Sequence, residues 1–181
     1  MEIRALRSDD DRSTFESGDA ALDRFFRKYA GQNQFRHYLG VTYVAVDGGR
    51  VLAFATVAPG QLEIEDLPAA GRKKLPRYPL PILRLARLAV DRSAQSQGLG
   101  TQLLRFVCRL AARMADDYGC SGVVVDAKAE AVKFYAKYGL VPHEALEGQS
   151  EARPRPTTMF LAMRAIKAAS DVRSHRRFRS S

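Results

Sequence analysis

The stretch from Leu83 to Gly119 constrains the fold most, because signals for a strand, a glycine loop and a helix follow one another there without a gap. An apolar run, Ile82-Leu83-Arg84-Leu85-Ala86-Arg87-Leu88-Ala89-Val90, ends at Asp91 and reads as a strand. Gln95-Ser96-Gln97-Gly98-Leu99-Gly100-Thr101 follows. Leu99, Leu103, Val107, Leu110 and Met114 then recur at spacings of three and four, one face of a helix, and Gly119 is its expected stop. The glycines therefore fall where a strand turns into the first turn of a long helix. Amides there have no partner within the helix, and the macrodipole adds partial positive charge. Glycine lets the backbone approach a phosphate without a Cβ in the way. The pattern predicts an anion cradle; its competitor is an ordinary tight turn entering a helix.

Two familiar cradles are excluded. No Lys follows the glycines, as an NTPase phosphate loop requires, and the third glycine of a dinucleotide fingerprint is missing.

The rest of the chain alternates strands and helices, which indicates α/β or α+β architecture. A first strand is expected over Glu2–Leu6, and Ser8-Asp9-Asp10-Asp11 can begin a helix. Asp19 is a suitable cap for a helix with an apolar stripe at Leu22, Phe25, Phe26 and Tyr29, and Gly31 a suitable stop. Val41–Val46 and Val51–Val57 read as a hairpin around Asp47-Gly48-Gly49-Arg50. A Pro-punctuated crossing from Pro59 to Pro81 has room for a short helix at Pro68–Leu75. After the central unit come a strand over Ser121–Ala127, a short helix over Glu130–Tyr138 closed by Gly139, a short strand at Leu140-Val141, a polar loop from Gly148 to Pro156, and a last strand over Thr157–Met163. The end of the chain is rich in Arg and Ser and too poor in apolar residues to pack alone. The expected division is one domain over 1–164 and a basic, mobile tail over 165–181.

Charge narrows the ligand class. The net charge is +9, and two segments dominate it: residues 72–92 and the tail. Lys73, Lys74, Arg77 and Arg87 are candidates for gripping nucleic-acid phosphates, against the plainer reading of a solvated charged loop. Arg84 and Arg87 are separated by an odd number and fall on opposite faces of a regular strand. No run reaches membrane-spanning length and Met1-Glu2-Ile3-Arg4 does not open a signal peptide, so a cytoplasmic protein without membrane attachment is expected. Cys108 and Cys120 lack metal-ligand spacing and read as reduced thiols; no metal site is expected. A lone His37 reads as a surface residue.

Gln-x-x-Gly-x-Gly at 95–100 resembles the pyrophosphate loop of the GNAT acetyltransferases, and Ala131-x-x-Phe134-Tyr135-x-x-x-Gly139-Leu140 resembles the second half of their signature. Further motifs are similar to one branch of that family, the aminoacyl-tRNA-acetylating toxins of type II toxin–antitoxin modules. They are Phe15-Glu16-Ser17-Gly18, Leu22-Asp23-Arg24-Phe25, Ala30 with Gln32-Asn33-Gln34, Tyr78-Pro79-Leu80-Pro81, Leu85–Asp91 and Val125-Asp126-Ala127-Lys128. Many GNAT members have Asn after this strand where Asp126-Ala127-Lys128 stands, which leaves the role of Asp126 open. The resemblance implies a GNAT fold, a mixed sheet of about six to seven strands flanked by helices. It implies acetyl-CoA as donor, held by the backbone of Leu88, Ala89 and Val90 and by Gln95, Ser96, Gln97, Gly98, Leu99, Gly100 and Thr101. It also implies Tyr135 as the acid protonating the leaving sulfur, with Tyr138 its local competitor. The acceptor so implied is aminoacyl-tRNA, the consequence is blocked translation, and the partner is a ribbon-helix-helix antitoxin; a homodimer is left open. Two other readings stand beside this one. The first is a GNAT enzyme acting on protein or small-molecule amines, and the second a non-catalytic CoA-binding module. The basic segment argues against polyamine and aminoglycoside acceptors, which suit acidic pockets.

Overall fold

The computed structural model describes residues 1–63, 79–142 and 155–177, the side chains of 171–177 excepted. Seven strands form one sheet in the order β1-β2-β3-β4-β5-β7-β6. They are β1 (Glu2–Ala5), β2 (Val41–Asp47), β3 (Arg50–Leu62), β4 (Leu80–Val90), β5 (Gly122–Ala127), β6 (Val141–Pro142) and β7 (Thr157–Ala162). The helices are α1 (Ala20–Arg24), α2 (Ala30–Phe35), α3 (Leu99–Asp117), α4 (Val132–Lys137) and α5 (Met163–Arg177). The expected α/β class and strand number are borne out. By Cα proximity the chain divides into two compact units, residues 1–58 with 85–109, and residues 59–84 with 110–181.

The first unit is built on an aromatic core. The β2–β3 hairpin turns through Gly48 and Gly49 at φ 54° and 81°, the left-handed pair that a two-residue turn demands. Phe54 on β3 stacks on Phe26 with centroids 4.3 Å apart, and Phe15 meets both rings edge-on. Asp19 caps α1 by accepting from the amides of Ala21 and Leu22, as expected.

Two expectations here need correction. Ser8–Asp11 starts no helix. Asp10 instead receives two hydrogen bonds from Arg4, and Asp11 accepts from the amide and hydroxyl of Ser13. These carboxylates bond to a turn and a strand side chain, so they are not available to a helix start. Gly31 does not stop the helix either: Phe25–Tyr29 forms a π turn and α2 carries on to Phe35. The wider turn, closed by Ala30 N–H on Phe25 C=O, rotates Tyr29 off the buried face. Phe25 and Phe26 are core as expected, whereas Tyr29 is 39% exposed and accepts from Arg24.

In the second unit β5 and β7 pair antiparallel from Gly122↔Ala162 to Ala127↔Thr157. Leu62, Leu80, Ile82 and Val124 form its apolar cluster, with Phe160 packed against it. β3 runs on to Leu62, past the expected end at Val57 and through Pro59. The short helix expected over 68–75 lies outside the described residues. α5 covers residue 165, where the tail was expected to begin. Ile166 is buried, and Lys167 Nζ lies 2.6 Å from an oxygen of Asp116 on α3. No helix among the described residues is long and apolar enough to cross a membrane.

Candidate active site

The glycine loop lies in the first unit and is braced from below by one carboxylate. Asp91 ends β4, is 3% exposed, and accepts from the amide and hydroxyl of Ser93, the amide of Glu16 and the guanidinium of Arg50. Burial pushes its carboxyl up, but the Ser93 hydroxyl, the Glu16 and Ser93 amides and the Arg50 charge outweigh that, and its pKa falls below the ordinary value. Residues 16–18 complete the brace. Arg92 N–H donates to Glu16 C=O, and the Arg92 and Glu16 side chains pair at 2.9 Å. Arg92 also packs where a Cβ on Gly18 would stand, a position Gly18 leaves open at φ 94°. Ser17 is tied in turn to Asp23 of α1 through its amide and hydroxyl.

Above the brace the loop is exposed. Gln95 does not reach outward: its Nε2 donates to Ser17 C=O at 2.8 Å and to Val90 C=O at 3.1 Å, closing the loop onto the end of β4. Gln97 Nε2 donates to Ser93 C=O, Ser96 has φ 63°, and Gly98 has φ 79° with nothing within 4 Å of a Cβ placed there. Gln102 N–H bonds to Gly98 C=O, so α3 begins at the loop and its first-turn amides lack acceptors within the helix. An open glycine face at a helix N-terminus suits a diphosphate, and this is the ligand the loop geometry fits. Leu88 and Val90 are half-buried, while Ala89 packs into the aromatic core.

The second unit carries Tyr135 in α4. Leu140 N–H bonds to Tyr135 C=O and Gly139 N–H to Ala136 C=O, with Gly139 at φ 87°. That double closure ends the helix and is why a glycine stands at 139. The Tyr135 ring is 5% exposed and meets Phe134 edge-on. Desolvation pushes its phenol up to about 12, so it stays protonated throughout the neutral range. Tyr138 meets Phe134 as well.

Other candidates sort differently. Lys73, Lys74 and Arg77 lie outside the described residues. Arg87 sits with its guanidinium carbon 3.7 Å from the Phe25 ring centroid, and burial lowers its pKa. Arg84 pairs with Asp126 at 2.7 Å, and Thr158 Oγ1 donates to the same carboxylate. Asp126 thus holds β4 and β7 side chains to β5, a role the sequence left open. Sequence reasoning had no role for Glu16, Ser17, Asp23 and Asp91 either. Three of the four stand in Phe15-Glu16-Ser17-Gly18 and Leu22-Asp23-Arg24-Phe25, whose polar residues between apolar ones were the available signal. Both cysteines are free, and the described residues contain no cluster of three His, Cys, Asp or Glu side chains.

Comparison with known proteins agrees with this geometry. A tRNA-acetylating toxin of Mycobacterium tuberculosis is 36% identical over 138 residues, 75% of this chain and 81% of the relative. AtaT complexed with acetyl-methionyl-tRNAfMet superposes with a TM-score of 0.81 at 26% identity, covering 93% of this chain and 98% of that one. AtaTR bound with AcCoA gives a TM-score of 0.75 at 26% identity, over 93% and 96% of the two chains. Residues 39–141 match the model of the acetyltransferase (GNAT) domain, and with these likenesses the chain belongs to the GNAT acetyltransferase family.

Proposed function

We propose that this acetyltransferase moves acetyl from acetyl-CoA to the α-amine of an aminoacyl-tRNA and so acts as a translation-blocking toxin, restrained by a ribbon-helix-helix antitoxin. The observation that carries the acceptor is the likeness to the mycobacterial toxin, which spans three quarters of the chain. The loop at 95–101 supports acetyl-CoA as donor, with the open face of Gly98 and the first turn of α3 toward the diphosphate. When bound, acetyl-CoA supplies an activated thioester.

The chain's own part in the reaction is small and specific. A free α-amine has a pKa of about 7.7–8.0, and an adjoining ester lowers it further, so the nucleophile is largely neutral at cellular pH and needs no strong protein base. In the transfer the α-amine would form the C–N bond as the C–S bond breaks and would lose its proton to water, while Tyr135 would give the sulfur a proton and regain one from water. A phenol at about 12 is a reluctant donor to a thiolate of ordinary basicity near ~8.5. The same desolvation raises the basicity of a sulfur beside it, and that narrows the mismatch. A positioned acid of this kind contributes ~10²–10⁴-fold.

Lys73, Lys74 and Arg77 are the proposed contacts to tRNA phosphates. The test is purified protein with labelled acetyl-CoA and a full set of charged tRNAs. Acetylated aminoacyl-tRNA is the expected product. Replacing the three basic residues by Ala should weaken tRNA binding and flatten its salt dependence. Acetylation of protein lysines but of no charged tRNA would overturn the acceptor assignment.

A further inference from the structure

Residues 24–39 contain four Arg or Lys and no acidic residue, and their exposed side chains are aromatic or basic apart from Gln32 and Leu39. Tyr38 is 83% exposed and Phe35 41% exposed, with Leu39 also open to solvent. Arg36 and His37 are exposed between them in sequence, and Lys28 is exposed in the preceding Phe25–Tyr29 turn. Arg27 is committed to Phe15 C=O through two nitrogens and Arg24 to Tyr29, but among the described residues Lys28 and Arg36 have no ion-pair partner.

The rings are held out by a stiff backbone. Arg36 N–H and His37 N–H both bond to Gln32 C=O, and Leu39 N–H bonds to Asn33 C=O, so the turn folds back on the last carbonyls of α2. Gln34 bridges Leu6 C=O and the Thr42 amide, pinning the same turn between β1 and β2. Tyr38 takes a left-handed φ of 53°, which a tyrosine rarely adopts and which directs its ring away from the core. Phe35, Tyr38 and Leu39 are three exposed apolar side chains within five residues, a concentration of the kind that marks an interaction site.

We infer that the turn at 35–39, with Tyr38 at its tip, is a stacking platform for unpaired bases of a single-stranded nucleic acid, with Lys28 and Arg36 meeting its phosphates. The inference deepens the tRNA reading above and rests on it for the natural occupant. Charge complementarity favours a polyanion, and the wide exposure of the Tyr38 ring favours a flat base over an apolar side chain. Base stacking on an aromatic ring tolerates any sequence, whereas the flanking cations supply the salt-dependent part.

The experiment titrates the full chain into fluorescein-labelled, unstructured A-rich RNA at several salt concentrations. Tyr38→Ala should bind about 5- to 150-fold more weakly, by a factor little changed with salt, and Tyr38→Phe should keep wild-type affinity. Lys28→Ala with Arg36→Ala should instead lose affinity mainly at low salt and flatten the salt slope. A thermal melt of each variant confirms that it is folded. Equal affinity of folded Tyr38→Ala and wild type overturns the platform. Tight binding of a polyglutamate peptide, lost in Tyr38→Ala while RNA affinity holds, overturns it in favour of an acidic protein partner. The charged-tRNA assay separates the two proposals. Absent transfer with the expected RNA titration removes the acceptor reading alone, and normal transfer with unchanged Tyr38→Ala binding removes the platform alone.

Discussion

Replacing Asp91 by Ala removes the brace beneath the glycine loop, and its cost can be worked from the four bonds the carboxylate receives. The Arg50 contact is long at 3.2 Å from a half-exposed side chain, so it contributes within the ~0–1 kcal/mol of a surface pair. The Ser93 hydroxyl can turn to water and forfeits little. The cost therefore concentrates in the Glu16 and Ser93 amides, each 3.0 Å from the carboxylate. Hydrogen bonds to a charged acceptor contribute ~1.5–3 kcal/mol each, and neighbouring bonds add incompletely, which gives about 2–4 kcal/mol for the pair. In a chain of this size each kcal/mol shifts Tm by ~2–4 °C, so Asp91→Ala should melt roughly 4–16 °C lower by calorimetry or circular dichroism. The pH dependence carries the sharper signature. Because Asp91 titrates lower when folded, its contribution is complete above the unfolded value near ~3.9 and drains as pH falls through the lower folded value. The gap between wild type and variant should close in acid and be widest near neutrality. Affinity for acetyl-CoA should fall too, since residues 16–18 and 95 lose their common anchor. A variant with wild-type Tm and an unchanged acid limb would refute the brace.

Tyr135→Phe should fold and bind acetyl-CoA while losing most transfer, and a wild-type rate in that variant would make Tyr135 a packing residue. Gly122→Ala drives its Cβ into Leu161 C=O, a backbone atom that cannot swing aside. It should therefore loosen the β5–β7 pairing by about 1–3 kcal/mol in urea unfolding, and an unchanged midpoint would show that the pair has room to give.

The sequence by itself determined what rests on short-range pattern. The period of Leu99, Leu103 and Val107 marks α3, the Gly48-Gly49 pair marks the hairpin, and Gly119 and Gly139 mark helix ends because left-handed caps demand glycine. The glycine loop was legible for the same reason: strand, glycines and helix follow within one continuous stretch. What only the tertiary structure decided comes from partners far apart in the chain or from local geometry that competes with pattern. Asp91 reads as a strand-ending acid until Glu16, 75 positions away, lays its amide on it. Gln95 reads as a ligand contact until the carbonyl of Ser17 claims its side chain. Tyr29 keeps the spacing of a core residue, but the π turn inserts one residue into the helical phase and turns it to solvent. Residues 165–177 read as a polar tail, yet backbone helicity continues there from β7, with Ile166 buried and Lys167 on Asp116. Periodicity registers which face a residue belongs to; it carries no record of which distant carbonyl or carboxylate will meet it, and those meetings shape the glycine loop.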